Sequence, residues 1–216
     1  LTSMKDGTGS TFFDYHRITG APALGAGMLA SVDGPLPNDT ITYGYDELDR
    51  RVSTAINGVA EAHVFDVAGR RTSVTNALGA FLFTYDGNSF RSSSQSSPNG
   101  QTTSFTYAGN LQDQHLQKIT NARGITPLSE FIYGREVPTG KITTWSQQSG
   151  VEVPTVSSFD YDTADQLTAA AVLPATNAAR TFGYRYDLAG NRLEERMDGA
   201  TNAASYNALN QLTTRT

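Results

Sequence analysis

The segment Tyr184–Leu193 reads YRYDLAGNRL, and shorter versions of it recur along the chain. Its Tyr-Asp pair returns at positions 45–46, 85–86 and 161–162, as Phe-Asp at 65–66 and as Tyr-Asn at 206–207. Copies at a near-constant period indicate a repeat architecture, in which each unit packs against its neighbours in the chain. The functional question therefore concerns what the array builds.

The marker aromatics are spaced by 20, 20, 22, 26, 28, 25 and 20 residues. They are Tyr45, Phe65, Tyr85, Tyr107, Tyr133, Tyr161, Tyr186 and Tyr206. A second aromatic usually stands two positions earlier, at 43, 83, 105, 131, 159 and 184. Because residues two apart in a strand share a face, these pairs predict β-strands with an aromatic row on one face.

A turn is predicted directly after each strand. The Asp that follows the aromatic can accept a hydrogen bond from the backbone two residues on. Three residues past this position stand Asp49, Gly69, Asp165, Gly190 and Asn210, which are types that tolerate a left-handed backbone. A type I turn closed by a left-handed residue is a common hairpin connection, so each unit is expected to contain a hairpin.

Each unit carries a second turn signal, such as Asn57-Gly58 or Asp198-Gly199. Two turns per unit predict two antiparallel strands per unit, or about sixteen strands in all. An open sheet this wide usually curls or splits. The predicted fold class is therefore all-β: antiparallel hairpin repeats in a long curling or spiralling sheet, as part of a β-shell or solenoid.

The units are unequal along the chain. Residues 1–40 are interpreted as a Gly/Pro-rich lead-in that contains a degenerate repeat at Phe12–Tyr15, and residues 41–216 as about eight repeats. Units at about 85–160 are longer and degenerate, with Ser89, Leu111 and Val137 where a permissive turn residue is expected. Their extra length is predicted to form protruding loops, as at Ser92–Gly100.

Composition excludes several classes of protein. A net charge of −5 with 17% charged residues argues against a nucleic-acid partner, and the absence of cysteine excludes disulfides and thiolate metal sites. No apolar run has the length of a membrane span. The chain begins without a signal-like leader and ends within the repeat pattern, so we expect it to be an excerpt of a longer protein.

These motifs resemble the YD repeat of the RHS family, the rearrangement-hotspot proteins. Tyr184–Leu193 is close to that family's Y-x-Y-D-x-x-G-R-L pattern, and the resemblance extends from Thr40 onward. It implies a sheet that spirals into a hollow shell, which encloses a toxic segment in insecticidal toxin complexes and RHS effectors. A similar barrel belongs to the adhesion ectodomain of teneurins.

The resemblance also implies partners and a location. The expected partners are flanking repeats of the same larger chain or copies of this one, and an enclosed toxin cargo; the expected location is secreted or at the cell surface. The aromatic row of this sequence, and not the resemblance, suggests a glycan as a further partner. The family's toxins commonly end their core in a self-cleaving motif with Asp-Pro pairs. This chain has no Asp-Pro pair, so neither that motif nor a toxin tail is expected within it.

The residues assigned to the repeat are interpreted as structural. They are Tyr43, Tyr45, Asp46, Phe65, Asp66, Gly69, Arg70, Tyr85, Asp86, Tyr161, Asp162, Tyr184, Tyr186, Asp187, Gly190, Arg192, Tyr206 and Asn207.

Three rows within this set admit a functional alternative. The Asp row suggests a calcium ladder, but copies two strands apart lie about 9–10 Å from each other, too far to share an ion, so turn capping is favoured. The arginines at 50, 51, 70, 71, 91 and 192 suggest polyanion binding, against local ion pairing. The aromatic row suggests stacking on sugars, against packing on the sheet.

No catalytic or metal-binding arrangement is found. His16, His63 and His115 share no ligand spacing, and no Ser-His-Asp set is present. Trp145 is expected to be a core or interface residue, and the sequon at Asn38 is expected to be fortuitous. We therefore expect a non-catalytic structural segment without cofactor, metal or nucleic acid. The alternative is a carbohydrate- or protein-binding adhesion module.

Overall fold

The computed structural model describes residues 1–21 and 23–216, which form 19 β-strands and one short 3₁₀ turn at Asn110–Gln112. The high strand content is explained by the Thr, Val, Tyr and Phe residues around each marker aromatic, because these types favour β-strands. The described chain divides into two compact units, Leu1–Thr102 and Thr103–Thr216, and passes from one to the other within a strand.

The strands of the first unit, in chain order, are β1 Ser3–Asp6, β2 Gly9–Tyr15, β3 Leu29–Asp33, β4 Ile41–Tyr45, β5 Arg51–Ile56, β6 Val59–Phe65, β7 Arg71–Asn76, β8 Gly79–Tyr85 and β9 Ser92–Ser96. Strand β10 is Gln101–Tyr107. The strands of the second unit that follow are β11 Leu116–Arg123, β12 Thr126–Arg135, β13 Ile142–Ser149, β14 Thr155–Tyr161, β15 Leu167–Leu173, β16 Arg180–Tyr186, β17 Arg192–Met197, β18 Ala200–Tyr206 and β19 Leu212–Arg215.

Both units are antiparallel meanders. In the first, each strand from β1 to β9 pairs with the next, and in the second the same holds from β11 to β19. Two-residue turns join some pairs, as at Asn57-Gly58, where both residues have positive φ (51° and 80°). The predicted all-β fold of antiparallel hairpin repeats is confirmed in each unit.

A β-bulge recurs at the same point of the hairpins. Gly44 pairs with Ser53, whereas Tyr45 pairs with Arg51, so that Val52 is the extra residue on the return strand. Equivalent shifts fall at 14/15, 64/65, 84/85, 134/135, 160/161, 185/186 and 205/206. Bulges bend a strand and increase its twist, so each repeat adds a similar local distortion.

The register separates two different faces in each unit. In the first, Tyr43 opposite Thr54 and Phe83 opposite Gln95 lie on the aromatic face, while the other face carries small residues such as Ala62. No hydrophobic side chain of the described residues is fully buried. The sheet therefore has no second layer within either unit, and the aromatic row is half-buried by its neighbours along the sheet.

The prediction of protruding loops is wrong for Ser92–Gly100. Ser92–Ser96 form β9, and a tight turn follows in which Gly100 N–H donates to the Ser97 carbonyl at 2.9 Å. The prediction failed because Ser and Thr side chains suit an exposed strand as well as a loop. Part of the extra length of the middle units lies in longer strands, such as the ten-residue β12.

Candidate functional site: the repeat turns and the aromatic face

Asp66 organises the turn between β6 and β7. Its Oδ1 accepts hydrogen bonds from the backbone N–H groups of Ala68 and Arg70, both at 2.9 Å. Its Oδ2 accepts a 2.7 Å bond from Arg70 Nε, and its own N–H donates to the Arg70 carbonyl. One carboxylate thus holds the loop and positions the cation that follows it.

The same turn is built at four further positions. In each, Oδ1 accepts from the N–H groups two and four residues later, at 2.9–3.0 Å. These positions are Asp46, Asp162, Asp187 and Asn207. Because the Asn207 amide oxygen makes the same backbone bonds as a carboxylate, capping requires an acceptor and no charge.

Hydrogen bonding lowers the pKa of several of these carboxyl groups. The backbone N–H of Arg70 is the main reason that the pKa of Asp66 lies below its usual value, and the Arg70 side chain adds to it. The side chain of Asn191 is the main cause of the lowered pKa of Asp187. Partial desolvation acts to raise the pKa of Asp46, but the bonds from Arg50 outweigh it and the pKa is lowered. These carboxylates are therefore stabilised in their charged form.

The residue that closes each of these turns has a left-handed backbone. The φ angles are 57° at Asp49, 78° at Gly69, 66° at Asp165, 83° at Gly190 and 59° at Asn210. Gly, Asn and Asp adopt this region at the lowest cost, which explains why the sequence uses these three types here.

The residue after the left-handed position reaches from its own turn to the next one. Arg70 Nη1 donates to the carbonyl oxygens of Gly87 and Ser89, at 2.8 and 2.7 Å. Asn191 Nδ2 donates to Asn210 Oδ1 at 3.0 Å. We call these bonds the cross-turn contacts, and they join successive hairpins at one edge of the strands.

Lys141 makes the equivalent contact in the middle of the second unit. Its ammonium group forms an ion pair with Asp165 in the next turn. The hydrogen bond between the Lys141 ammonium group and the Asp165 carboxylate is the main reason that the pKa of Lys141 lies above its usual value. Three residue types, Arg, Asn and Lys, thus make the cross-turn contact. The contact therefore depends on the place of the residue in the turn more than on one type of side chain.

Tyrosine hydroxyl groups join the hairpins along a second line. Tyr85 Oη donates to the Arg71 carbonyl at 2.7 Å, and Tyr161 Oη donates to the Ile142 carbonyl at 2.9 Å. Tyr45 and Tyr206 make the same bond to the first residue of the preceding return strand, at 3.0 and 3.2 Å. The marker tyrosine therefore has a polar function in addition to its packing.

Cationic side chains cover the aromatic rings in two different ways. Arg50 and Arg70 lie 4.8 Å from the ring centroids of Phe65 and Tyr85, the markers of the next repeat. An arginine at the following position of the repeat, the first of the return strand, stacks on an aromatic ring of its own hairpin or of the next hairpin. Such contacts are Arg51 on Tyr43 at 5.7 Å, Arg71 on Phe83 at 5.2 Å and Arg192 on Tyr184 at 5.6 Å.

The arginine row thus consists of two positions that sequence reasoning treated as one. Ion pairs hold Arg50 to Asp46 and Arg70 to Asp66, both at 2.7 Å. Arg91 pairs with Asp86 at 3.3 Å and Arg192 with Glu195 at 3.7 Å. Within the described residues, the exposed side chains of Arg51 and Arg71 have no acidic partner. The expected local pairing therefore holds for four arginines and fails for these two.

The unit around Tyr133 needs a correction. The bulge falls between Gly134 and Arg135, so Arg135 occupies the marker position and Tyr133 lies two residues before it. Glu136 opens the turn, and Gly140 closes it with a φ of 69°. Alignment on Tyr133 in place of Arg135 shifted the motif by two residues, and the turn is one residue longer, which is why the turn residue was placed at Val137 and not at Gly140.

Two other middle turns also retain their function with different residues. Asp86 N–H donates to the Arg91 carbonyl at 2.8 Å across a turn that is one residue longer. After Tyr107, Ala108 N–H donates to the His115 carbonyl at 2.9 Å, and the loop between them includes the 3₁₀ turn. Left-handed residues within these two turns are Gly87, Asp113 and Gln114.

The lead-in contains a further hairpin of the same design. Tyr15 pairs with Leu29 after a bulge at Asp14, and its Oη donates to the Leu1 carbonyl at 2.9 Å. The ring of His16 packs edge-on against Tyr45 at 5.5 Å. A connection of 13 residues, 16–28, replaces the short turn of the other units.

The remaining candidate residues lie apart. His63 contacts Glu61 at 3.2 Å, and His115 Nδ1 lies 2.8 Å from the Gln112 carbonyl. Trp145 is opposite Tyr133 in β13, with its Nε1 enclosed and unpartnered among the described atoms. The described residues contain no group of three or more His, Cys, Asp or Glu side chains that could hold a metal ion. The same part of the chain has no helix long and apolar enough for a membrane span.

The structure assigns the repeat residues to separate positions. Residues on the aromatic face are Tyr43, Tyr45, Phe65, Tyr85, Tyr161, Tyr184, Tyr186 and Tyr206. Residues that open turns are Asp46, Asp66, Asp86, Asp162, Asp187 and Asn207, and those that close turns are Gly69 and Gly190. Arg70 follows a turn, while Arg192 begins β17. Sequence reasoning missed Arg135 and Lys141, which only the register of the bulge identifies.

Comparison with known proteins places the chain by its fold. No family model and no curated protein matches it. Solved structures do match. TcdB2-TccC3 without its hypervariable C-terminal region aligns with a TM-score of 0.63 and 17% identity over 98% of this chain, and TcdB2-TccC3 with 0.61 and 17% over 92%. A Tc holotoxin pore from Photorhabdus luminescens aligns with 0.58 and 15% over 97%.

This chain spans only 12% of the length of the TcdB2-TccC3 structures and 14% of the holotoxin chain. The match therefore concerns a stretch of repeats within much larger proteins. At this level of identity it concerns the fold alone. The resemblance to the RHS/YD-repeat family of toxin-complex shells is confirmed at the level of the fold, which this chain shares with the TcdB2-TccC3 structures.

Proposed function

We propose that this chain is a non-catalytic segment of a β-sheet wall, which encloses or displays another part of a larger secreted or surface protein. The observation that carries the proposal is the absence of a fully buried hydrophobic side chain among the described residues, in units built of consecutive hairpins. A globular domain of this size normally buries a core, whereas a wall needs only lateral contacts between neighbours.

The contacts between hairpins support this function. Successive hairpins are joined by the strand ladder, by tyrosine hydroxyl bonds and by the cross-turn contacts. These bonds use most of the residues that the repeat retains. Each of those residues therefore has a structural reason to be present, and none of them requires a substrate.

The likeness to TcdB2-TccC3 supports a shell in particular, because the chain aligns over most of its length with part of those larger proteins. In this proposal, flanking repeats complete the wall, and its cargo is a polypeptide segment, by analogy with the toxic segment that the family encloses. The wall excludes proteases and solvent from the cargo, and strand edges are covered by the neighbouring repeats.

Electron microscopy of the natural full-length protein tests the proposal. We expect a hollow particle with internal density, and protease resistance of the segment inside. A solid globular particle, or an open fibre without an interior, would overturn enclosure. The absence of catalysis is tested separately by His63→Gln and His115→Gln variants of the full-length protein, which should keep any activity that the natural protein has.

An adhesion module is the second candidate. It is supported by two open grooves on the aromatic face of the first unit, of about 460 and 530 Å³. Against sugar stacking, guanidinium groups already lie over the rings of Tyr43, Phe65 and Phe83. A glycan array with the intact chain tests this candidate, and binding that is lost on Tyr43→Ala would favour it.

A further inference from the structure

We propose that the second unit contains a binding site for a small aromatic carboxylate, in a cavity of about 230 Å³ beside Arg135. The cavity lies between the loop that precedes β11 and the end of β12. Such a volume is smaller than the roughly 300–1,000 Å³ of sites for drug-sized ligands, so it suits a ligand with one ring. The apolar side chains of its wall belong to Ala108, Leu116, Tyr133 and Val137.

The cavity lies where the ring of a marker aromatic is missing. In four other hairpins the marker tyrosine donates its hydroxyl to the first carbonyl of the preceding return strand, as Tyr161 does to Ile142 at 2.9 Å. Arg135 has the marker position here, but its Nη1 donates to the Gly140 carbonyl of its own turn at 2.7 Å. The equivalent acceptor is the carbonyl of Leu116, which begins β11 and lines the cavity. The site therefore offers the place of one ring and one acceptor for a hydroxyl group.

The cation that covers the marker ring in the regular repeats is replaced as well. Arg70, the last residue of its turn, lies over the ring of Tyr85 in the next repeat. His115 has that position here, since its carbonyl accepts the N–H of Ala108. Its ring packs against the next turn, where a Cβ added to Gly140 would lie 2.8 Å from His115 Cε1. A planar ligand can therefore enter without displacing a stacked guanidinium group.

Arg135 supplies the positive charge of the site. The residue is half-buried, and its Nε is enclosed without a hydrogen-bond partner among the described residues. No carboxylate pairs with it in that part of the chain, whereas Arg50 and Arg70 each pair with the Asp that opens their turn. The one carboxylate among the lining residues, Glu136, accepts a 2.6 Å bond from the Thr139 hydroxyl in its own turn. Because partial desolvation strengthens the attraction between opposite charges, a carboxylate on the ligand is favoured.

Together these groups select a ring that carries both a carboxylate and a hydroxyl group, as in the hydroxybenzoates. The ring takes the place of the missing marker, the carboxylate pairs with the Arg135 guanidinium, and the hydroxyl donates to the Leu116 carbonyl. The site lies within the second unit and does not depend on enclosure of a cargo.

A titration of the intact chain with para- and meta-hydroxybenzoate, followed by two-dimensional ¹H–¹⁵N NMR, tests the site. We expect saturable binding of at least one of them with a Kd of about 1 mM or tighter. The resonances that move should include the Arg135 Nε–H and the backbone N–H groups of Leu116 and Val137. Arg135→Gln should weaken binding about tenfold or more, because it removes the charge that pairs with the carboxylate.

A second variant removes the cavity and restores the repeat. Arg135→Tyr supplies the ring and the hydroxyl group that the other hairpins have, so it should abolish binding and leave the Tm unchanged or higher. The matched control is Arg185→Gln, which removes an exposed arginine from the same unit, where it pairs with Glu194 at 3.6 Å. It should leave binding unchanged. Circular dichroism confirms that each variant is folded.

Ligand analogues separate the contributions. Benzoate, which lacks the hydroxyl group, should bind about fivefold more weakly than the better hydroxybenzoate. The proposal would be overturned by absence of saturable binding, by equal affinity for the neutral para-hydroxybenzyl alcohol, or by equal affinity for acetate, which has no ring. Equal weakening in Arg135→Gln and Arg185→Gln, or full binding to Arg135→Tyr, would overturn it too.

Discussion

Arg70 Nη1 lies 2.7 Å from the carbonyl oxygen of Ser89, in the turn that belongs to the next repeat. The same guanidinium is paired with Asp66 and lies over the ring of Tyr85. One side chain therefore joins its own turn, the next strand and the next turn. Coupling between neighbours of this kind determines the stability of a repeat array.

Replacing Arg70 should destabilise the first unit. Arg70→Ala removes the ion pair and both cross-turn bonds, and we expect the Tm to fall by about 2–6 °C in thermal denaturation followed by circular dichroism. Arg71→Ala is the control, because Arg71 contacts a ring but has no ion pair in the described structure. Equal effects of the two variants would contradict the importance of the cross-turn contacts.

The tyrosine hydroxyl bond can be tested in both directions. Tyr85→Phe removes the bond to the Arg71 carbonyl and should lower the free energy of unfolding by about 0.5–1.5 kcal/mol. Phe65 has the equivalent position but no hydroxyl, so Phe65→Tyr should leave stability unchanged or raise it. Urea denaturation measures both. A loss of stability in Phe65→Tyr that equals the loss in Tyr85→Phe would show that the ring environment, and not the hydroxyl group, matters.

The left-handed turn position should discriminate among side chains. Gly69 has a φ of 78°, and the nearest atom to an added Cβ is Arg50 Nη1 at 3.7 Å, so there is space but backbone strain. Gly69→Ala should lower the free energy of unfolding by roughly 1–2 kcal/mol. Gly69→Asn should cost less, because Asn210 adopts a φ of 59° at the same position of another turn. We expect the free energy of unfolding, measured in urea, to be lowest for Gly69→Ala, intermediate for Gly69→Asn and highest for the natural chain.

Acid should weaken the turn at Asp66. Its folded-state pKa lies below the ordinary value of 3.8, so the unfolded chain binds the proton more readily. The stabilisation is therefore complete above pH 3.8 and is lost as the pH falls through the lower folded value. In Asp66→Asn, the new amide oxygen should accept the same two backbone N–H bonds, as the amide oxygen of Asn207 does in its own turn. Because this amide does not titrate, the variant should flatten this part of the pH profile.

Unfolding measured from pH 7 to pH 2 compares the two proteins. The natural chain should lose more stability than Asp66→Asn below pH 4, and the curves should converge in acid. Parallel curves over the whole range would show that this carboxylate does not contribute to the acid sensitivity.

Much of the fold was accessible from the sequence because hairpin information is local. Asp66, Gly69 and Arg70 lie within five residues, and the Asx-type bond and the left-handed residue both depend on nearest neighbours in the chain. The alternation of Tyr184 and Tyr186 likewise reports one face of a single strand. These signals predicted the turns and the strand order of the regular units.

The middle units were predicted less well because their signals conflict. The Ser-rich segment Ser92–Ser96 resembles a loop in composition, yet it pairs with β8 as a regular strand. At Arg135 the marker aromatic is absent, and the repeat is identified only by the bulge and by Gly140. Pairing with a neighbouring strand overrides local propensity, and sequence alone does not contain that pairing.

The sequence by itself determined that this chain is an array of antiparallel hairpins, since period, turn chemistry and strand alternation are local properties. Only the tertiary structure decided which charges are paired. Arg50 and Arg51 are adjacent in sequence, but the first turns back onto Asp46 while the second stands exposed over Tyr43. The register explains this difference, because Arg50 is the last residue of the turn that Asp46 opens, whereas Arg51 begins β5 opposite Tyr45.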